Sequence, residues 1–356
     1  MKRLAKWRLM SLLTALAFIL SGCGEPYLSA LRPAGEVAEK QYWLMKLSTG
    51  IMVFVILVVV VIFIIVLFRF RRKSDDEIPK QVEGNHMMEI IWTVIPIFLL
   101  LILAVPTVTA TFDLADVSPM DKKNKDGTRD VLVVNVRASL YWWEFEYPDQ
   151  KIVTSQELVV PTDEKVYFNL KGSDVKHSFW IPPVGGKMDT NTDTINKMWL
   201  VFDSKKAEEA GNVFYGKCAE LCGPSHALMD FKVKAVSRAD FDKWVKDMQA
   251  VKDPAKPATA DAQAGQEIFN NSCIGCHAVT PANTTPEAAR QGPNLTNFGE
   301  RDYVGGILKN DEKNLKNWIK EPDKYKPGST MPGFGHLSEE QLDQVAAYLM
   351  GLKVQE

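Results

Sequence analysis

Cys218, Cys222, His226 and Met229 read C-x3-C-x3-H-x2-M within GKCAELCGPSHALMD, and His177 lies upstream in SDVKHSFW. Two thiolates, two imidazoles and a thioether are soft or borderline donors, the set that suits copper in an electron-transfer site. A single His-Cys-Met set would hold one copper ion. Two cysteines in one loop can instead bridge a pair of ions, with one histidine capping each. Sharing the charge between two metals keeps nuclear rearrangement small when one electron moves. Two other readings compete. Structural zinc sites pair cysteines with a second pair or with two histidines, whereas here a methionine follows the histidine. A Cys218–Cys222 disulfide suits an extracytoplasmic domain, but it gives His226 and Met229 no role.

A second group lies further along. Cys273, Cys276 and His277 form C-x-x-C-H, the attachment signature of a c-type haem. The cysteines would make thioethers to the haem vinyl groups and His277 would be the proximal ligand. Six-coordinate electron-transfer haems of this kind take a methionine on the other side, which raises the potential. Met331 in GSTMPGF is the candidate. Met350 falls in the amphipathic pattern of the last helix and reads as core.

The chain has five cysteines, and the fifth, Cys23, has a separate context. It follows Lys2, Arg3, Lys6 and Arg8 and an apolar run from Leu9 to Leu20, the shape of a secretory signal. Leu20-Ser21-Gly22-Cys23 resembles a bacterial lipobox, so residues 1–22 read as a lipoprotein signal peptide and Cys23 as a lipid anchor, opening an extracytoplasmic segment over 23–46.

Several elements must position these groups. Leu47 to Phe68 and Ile90 to Phe112 carry no charge, and each is long enough to cross a bilayer. They predict a transmembrane helical hairpin over 47–112. Arg69, Arg71, Arg72 and Lys73 follow the first span, and the positive-inside rule puts that loop in the cytoplasm. Both ends of the chain then lie outside, in agreement with an exported anchor at Cys23. Residues 113–250 contain short runs rich in Val, Phe and Tyr between Gly, Pro, Asn and Asp turns, which predicts an all-β sandwich. The copper loop follows one of its strands. The Pro- and Ala-rich stretch 251–261 reads as a linker, and 262–356 as a small all-α domain carrying the haem motif. Ser338 and Gln341 are spaced as a capping box for its last helix.

The segment from Lys217 to Met229, with His177 before it, resembles the dinuclear copper loop of subunit II of haem-copper cytochrome c oxidases. The resemblance extends over most of the chain, including EIIWTVIP from Glu89 to Pro96 in the second span. It implies a multidomain membrane protein made of the hairpin, a cupredoxin-like sandwich and a class I cytochrome c domain, as in caa3-type oxidases. It further implies that Glu220 gives its backbone carbonyl to one copper and its carboxylate to a magnesium ion shared with subunit I. Glu89 matches a carboxylate near the mouth of a proton path, an edge position that headgroup contact also explains. Tyr141, Trp142 and Trp143 match the aromatic cluster where electrons arrive from cytochrome c, although Tyr141 stands where a tryptophan is usual. Gly265, Phe269 and Tyr348 resemble the terminal helix contact of class I cytochromes c.

The function so implied is electron transfer from a cytochrome c-type or membrane cytochrome donor, through haem c and copper, to haem in subunit I. Dioxygen is reduced there with proton translocation, so no catalytic group is expected in this chain. Subunits I and III and membrane lipids are the expected partners, and a bacterial plasma membrane the location. A nitric oxide reductase small subunit and a free electron-carrying lipoprotein are the competing readings. A quinol oxidase subunit II is set aside, because it lacks the copper ligands that are complete here. Formal net charge is −2, and no nucleic-acid signature accompanies it. Lys313, Lys316 and Lys320 share a helical face, which reads as solvated or as a docking surface. His86 and His336 carry no assigned role.

Overall fold

A computed structural model describes residues 7, 10–15, 22, 24–71, 81 and 83–354. Cys23, Leu20 and Ser21 of the lipid-attachment motif, and Arg72 and Lys73 of the basic cluster, lie outside the described residues. The chain divides into two compact units, one covering 39–116 and the other the remainder.

The first unit is a pair of long helices, α1 (Glu36–Arg69) and α2 (His86–Ala115). Both are long and apolar enough to cross a membrane, and their large apolar side chains are exposed along their length. Such a surface is stable only against hydrocarbon. Lys40 near the start of α1 pairs with Asp113 near the end of α2, so the two run antiparallel. α1 begins earlier than the uncharged stretch, because Glu36, Ala38, Glu39 and Leu44 are good helix formers that need no membrane. His86 opens α2 rather than sitting in the preceding loop. Asn85 caps that helix by accepting from the Met88 N–H, and Glu89 falls in its first turn, where a carboxylate complements the helix dipole.

The sandwich is built from β1 (Leu132–Ser139), β2 (Trp142–Tyr147), β3 (Ile152–Ser155), β4 (Glu157–Pro161), β5 (Lys165–Gly172), β6 (His177–Trp180), β7 (Met188–Thr190), β8 (Asn196–Val201), β9 (Val213–Cys218) and β10 (Asp230–Val236). One sheet has the order β3-β2-β1-β5-β8, the other β4-β10-β9-β6-β7. Pairing is antiparallel except for β1 with β5 and β10 with β4. Short helices α3 (Ser204–Glu209) and α4 (Arg238–Ala250) flank it. Alternation along β2 sends Trp143, Phe145 and Tyr147 inward. Trp143 meets Phe179 and Phe231 at centroid distances of 5.8 and 5.2 Å, and Phe179 stacks on Phe231 at 5.1 Å. Each such buried aromatic contributes roughly 1.5–3 kcal/mol, so the floor beneath the copper loop is rigid.

The C-terminal part contains α5 (Ala260–Ser272), a short strand pair β11 (Tyr303–Val304) and β12 (Leu308–Lys309), α6 (Glu312–Lys320), α7 (Pro322–Tyr325) and α8 (Glu339–Met350). The strand pair is an addition to the helical domain expected from sequence. Ser338 and Gln341 form the capping box on α8. Phe269 meets Tyr348 at 5.3 Å where α5 crosses α8, and Met350 packs against the same core. Gly265 sits at the crossing, where a Cβ would come within 1.9 Å of the Gln344 carbonyl. Gly265→Val is therefore expected to force α5 and α8 apart at a cost of about 1–3 kcal/mol. Thermal unfolding followed at the haem Soret band tests this, and an unchanged midpoint would contradict so close a crossing.

Candidate metal centre and haem cleft

β9 ends on Cys218, and β10 begins one residue after Met229. The Cys218 N–H donates to the Met229 carbonyl at 3.2 Å, and the Ala219 N–H to the Ser178 carbonyl at 2.9 Å. The loop between the two strands is thereby tied at both ends to the sheet that carries His177 on β6. Gly223 has φ +137°, and a Cβ there would lie 2.4 Å from the Tyr141 hydroxyl, so the turn needs a residue without a side chain.

Within this loop the donors fall into two groups around the cysteine pair. Cys218 Sγ lies 3.9 Å from His177 Nδ1 and 3.3 Å from the Glu220 carbonyl oxygen. Cys222 Sγ lies 3.7 Å from His226 Nδ1 and 3.9 Å from Met229 Sδ. The two sulfurs are 3.9 Å apart, as free cysteines. Ligands sharing one ion at about 2.0–2.3 Å each stand about 3.5–4 Å from one another. The spacing therefore fits metal, and two donor groups about one thiol pair fit two ions better than one. Hydrogen bonds from His177 and the backbone hold the Cys218 thiol down to about 7 against the opposing effect of burial, while burial and the neighbouring Cys218 push Cys222 up to about 12.

The haem residues are also brought together. Cys273, Cys276, His277 and Met331 line one cleft of about 1300 Å³, its open mouth included, whose walls are mainly apolar. His277 Nδ1 donates to the Pro293 carbonyl at 2.8 Å, which leaves Nε2 as the free ligand atom. Burial holds His277 below its ordinary pKa, in its neutral form. Arg301, invisible as a site residue in the sequence, lines the same cleft. It is buried, and its Nε has no hydrogen-bond partner among the described residues, as expected of a group that meets a haem carboxylate. Donor set, shape and orphaned donor all fit a c-type haem.

The aromatic residues occupy a position that the sequence did not disclose. Tyr141 and Trp142 line the haem cleft, covered by the chain's own C-terminal part. Trp143 is fully buried in the sandwich and donates its indole N–H to the Met229 carbonyl at 3.2 Å. The Tyr141 hydroxyl packs against Gly223 of the copper loop and Gly328 beyond the haem motif.

Polar contacts lock this arrangement. Lys326 Nζ donates to the carbonyls of Tyr141 at 2.8 Å and Gly305 at 2.6 Å, and burial pulls its pKa down to about 7. Glu144 accepts from Arg137 at 3.1 Å and from Arg290 at 3.0 Å, all three almost fully buried. Ser225 Oγ donates to the Pro327 carbonyl at 2.7 Å, and the hydroxyls of Tyr215 and Tyr303 meet at 3.0 Å. The lysine face on α6 is less free than its sequence suggested, since Lys316 pairs with Asp343 and Lys320 with Glu339.

A long apolar helical hairpin, a cupredoxin-like sandwich with a sulfur-rich loop and a cytochrome c fold together define a membrane electron-transfer protein. Family comparison agrees with each part. Residues 32–109 match the transmembrane domain of cytochrome c oxidase subunit II, 149–236 its periplasmic domain, and 262–353 cytochrome c. Cytochrome c oxidase subunit 2 of Bacillus sp. (strain PS3) is 63% identical over 359 residues, covering 99% of both chains. That of Bacillus subtilis (strain 168) is 58% identical over 353 residues, covering 98% of both. Quinol oxidase subunit 2 of Bacillus spizizenii is 36% identical over 250 residues, covering 69% of this chain and 74% of its own. The chain belongs to the cytochrome c oxidase subunit II family, with a fused cytochrome c domain. Its function is electron transfer into a haem-copper oxidase, as a membrane subunit associated with the other oxidase subunits. The matched domains imply copper A and haem c.

Removing the charge of Glu144 takes the carboxylate from the buried Arg137 guanidinium and leaves Arg290 only the more distant Glu146, at 3.9 Å. Glu144→Gln is expected to cost roughly 3–5 kcal/mol and to separate the haem domain from the sandwich. Thermal unfolding and protease sensitivity of the linker 251–261 measure this. A parent-like midpoint with a protected linker would contradict the lock.

Proposed function

We propose that this chain is a caa3-type subunit II in which each site residue has a defined task. Cys273 and Cys276 would attach haem c, with His277 and Met331 as its iron ligands. His177, Cys218, the Glu220 carbonyl, Cys222, His226 and Met229 hold the copper pair. The carboxylate of Glu220, a hard oxygen donor, takes magnesium at the contact with subunit I. Bound haem c and copper A supply one-electron redox chemistry. The protein's own residues orient the groups, set the polarity around them and keep water from the space between.

The observation that carries this reading is Tyr141, which lines the haem cleft while its side chain reaches the copper loop at Gly223. Both cofactor sites thus share a wall. Tyr141, Trp142 and Trp143 then serve transfer within the chain, and an external cytochrome donor acts on the haem domain. The domain limits are those read from the sequence, with a lipid anchor at Cys23 and both termini outside the cytoplasmic membrane. Subunits I and III are the membrane partners. Glu89, at the mouth of α2, serves proton uptake.

Two experiments test these assignments. The intact purified complex is expected to contain three copper ions for each haem c, a pair held by this chain and one at the haem-copper centre of subunit I, and to consume dioxygen with a reduced cytochrome donor; two coppers per haem c would refute the dinuclear assignment. Met331→Ala is expected to leave haem attached but to remove its low-spin, methionine-ligated spectrum. A spectrum identical to the parent in both oxidation states would assign the sixth ligand elsewhere.

A further inference from the structure

Asp174 belongs to neither motif, yet it connects the two sites. It lies in the turn between β5 and β6 with 31% of its side chain exposed. Its Oδ1 accepts from His177 Nε2 at 2.8 Å and from the Val175 N–H at 2.7 Å. Its Oδ2 accepts from the Leu140 N–H at 2.7 Å. A carboxylate that accepts from Nε2 fixes the tautomer and turns the Nδ1 lone pair towards the metal loop. His177 Nδ1 does face Cys218 Sγ. Leu140 lines the haem cleft together with Tyr141 and Trp142.

We propose that Asp174 is a positioning residue for His177 and also the bridge that couples the haem cleft to the copper loop. The route runs from Leu140 through its N–H to the carboxylate, and from there through Nε2 into the imidazole. Every link is a covalent bond or a hydrogen bond. The contacts of Tyr141 with Gly223 and of Trp143 with the Met229 carbonyl reach backbone atoms, and where Trp143 meets the His177 ring, at a centroid distance of 6.3 Å, the contact is through space and starts from a residue outside the cleft lining. The Asp174 route ends on a ligand ring itself. The transfer oxidises the haem iron by one electron and reduces the copper pair by one, with no bond made or broken. This role rests on the proposed ligation of copper by His177.

Two variants in the intact oxidase complex separate the two tasks. Asp174→Asn keeps an oxygen for His177 but turns an amide N–H group towards the Leu140 N–H. Its copper resonance spectrum is expected to match the parent, while haem-to-copper transfer, followed after a light-induced electron pulse, slows on the order of 10-fold. Asp174→Ala removes both bonds. It is expected to alter the histidine-nitrogen hyperfine couplings, shift the copper potential and weaken copper retention roughly 10- to 100-fold. A parent-like transfer rate in Asp174→Asn overturns the bridge. Parent-like couplings and potential in Asp174→Ala overturn the positioning role; should that variant not fold, ring-nitrogen signals of His177 in the metal-free Asp174→Asn protein report the same tautomer. A parent copper signal without histidine-nitrogen couplings overturns the ligation by His177 itself, which is a distinguishable failure.

Discussion

Two thiols four residues apart in a partly buried loop repel one another once both ionise, and that repulsion governs the copper domain. In water the charges would separate. Here Cys218 is fixed by the end of β9 and its bond to the Met229 carbonyl, and Cys222 by a turn that only glycine fits at position 223. The loop cannot relax away, so a cation is the remaining way to hold both thiolates. Donors of graded softness stand on either side of the pair: imidazole and carbonyl beside Cys218, imidazole and thioether beside Cys222. The sandwich exists to hold that unfavourable geometry, and its stacked aromatic floor supplies the rigidity.

The same logic applies where the haem domain meets the sandwich. An electron-transfer contact needs short, constant separation, and loose surface contacts do not provide it. Glu144 between two arginines and Lys326 on two carbonyls are buried polar groups whose partners must be in register. Such groups add little net stability, but they penalise every misaligned arrangement strongly. They specify one docking geometry among the many that apolar contact alone would permit.

Much of the site was legible in the sequence because its chemistry is local. Cysteine, histidine and methionine at fixed offsets on one strand-loop-strand unit announce metal, and C-x-x-C-H announces haem. The hairpin is legible for the same reason: a bilayer demands some twenty uncharged residues in a row. What the sequence did not disclose is long-range. Lys326 meets Tyr141 across 185 positions and Arg290 meets Glu144 across 146, and no periodicity reports such pairs. Asp174 is an intermediate case. It precedes His177 by three residues, a spacing that hints at a carboxylate-histidine pair, but its second bond to Leu140 appears only in three dimensions. Tyr141 was readable as an aromatic near copper; the haem domain covering it was not.

That covering changes what the linker is for. A flexible tether alone raises the local concentration of one domain at another, and transfer then waits on collision. In this chain Ala255 of the linker already packs against the haem-domain core, and the polar locks hold the docked state. The tether therefore acts chiefly during assembly, when it makes docking a first-order event and keeps the buried charges from meeting wrong partners. On the proposed route, once the locks close the rate between centres depends on the bonds across the shared wall rather than on the length of the linker. Fusion and interface thus do different work: one brings the surfaces together, and the other sets the distance the electron must cover.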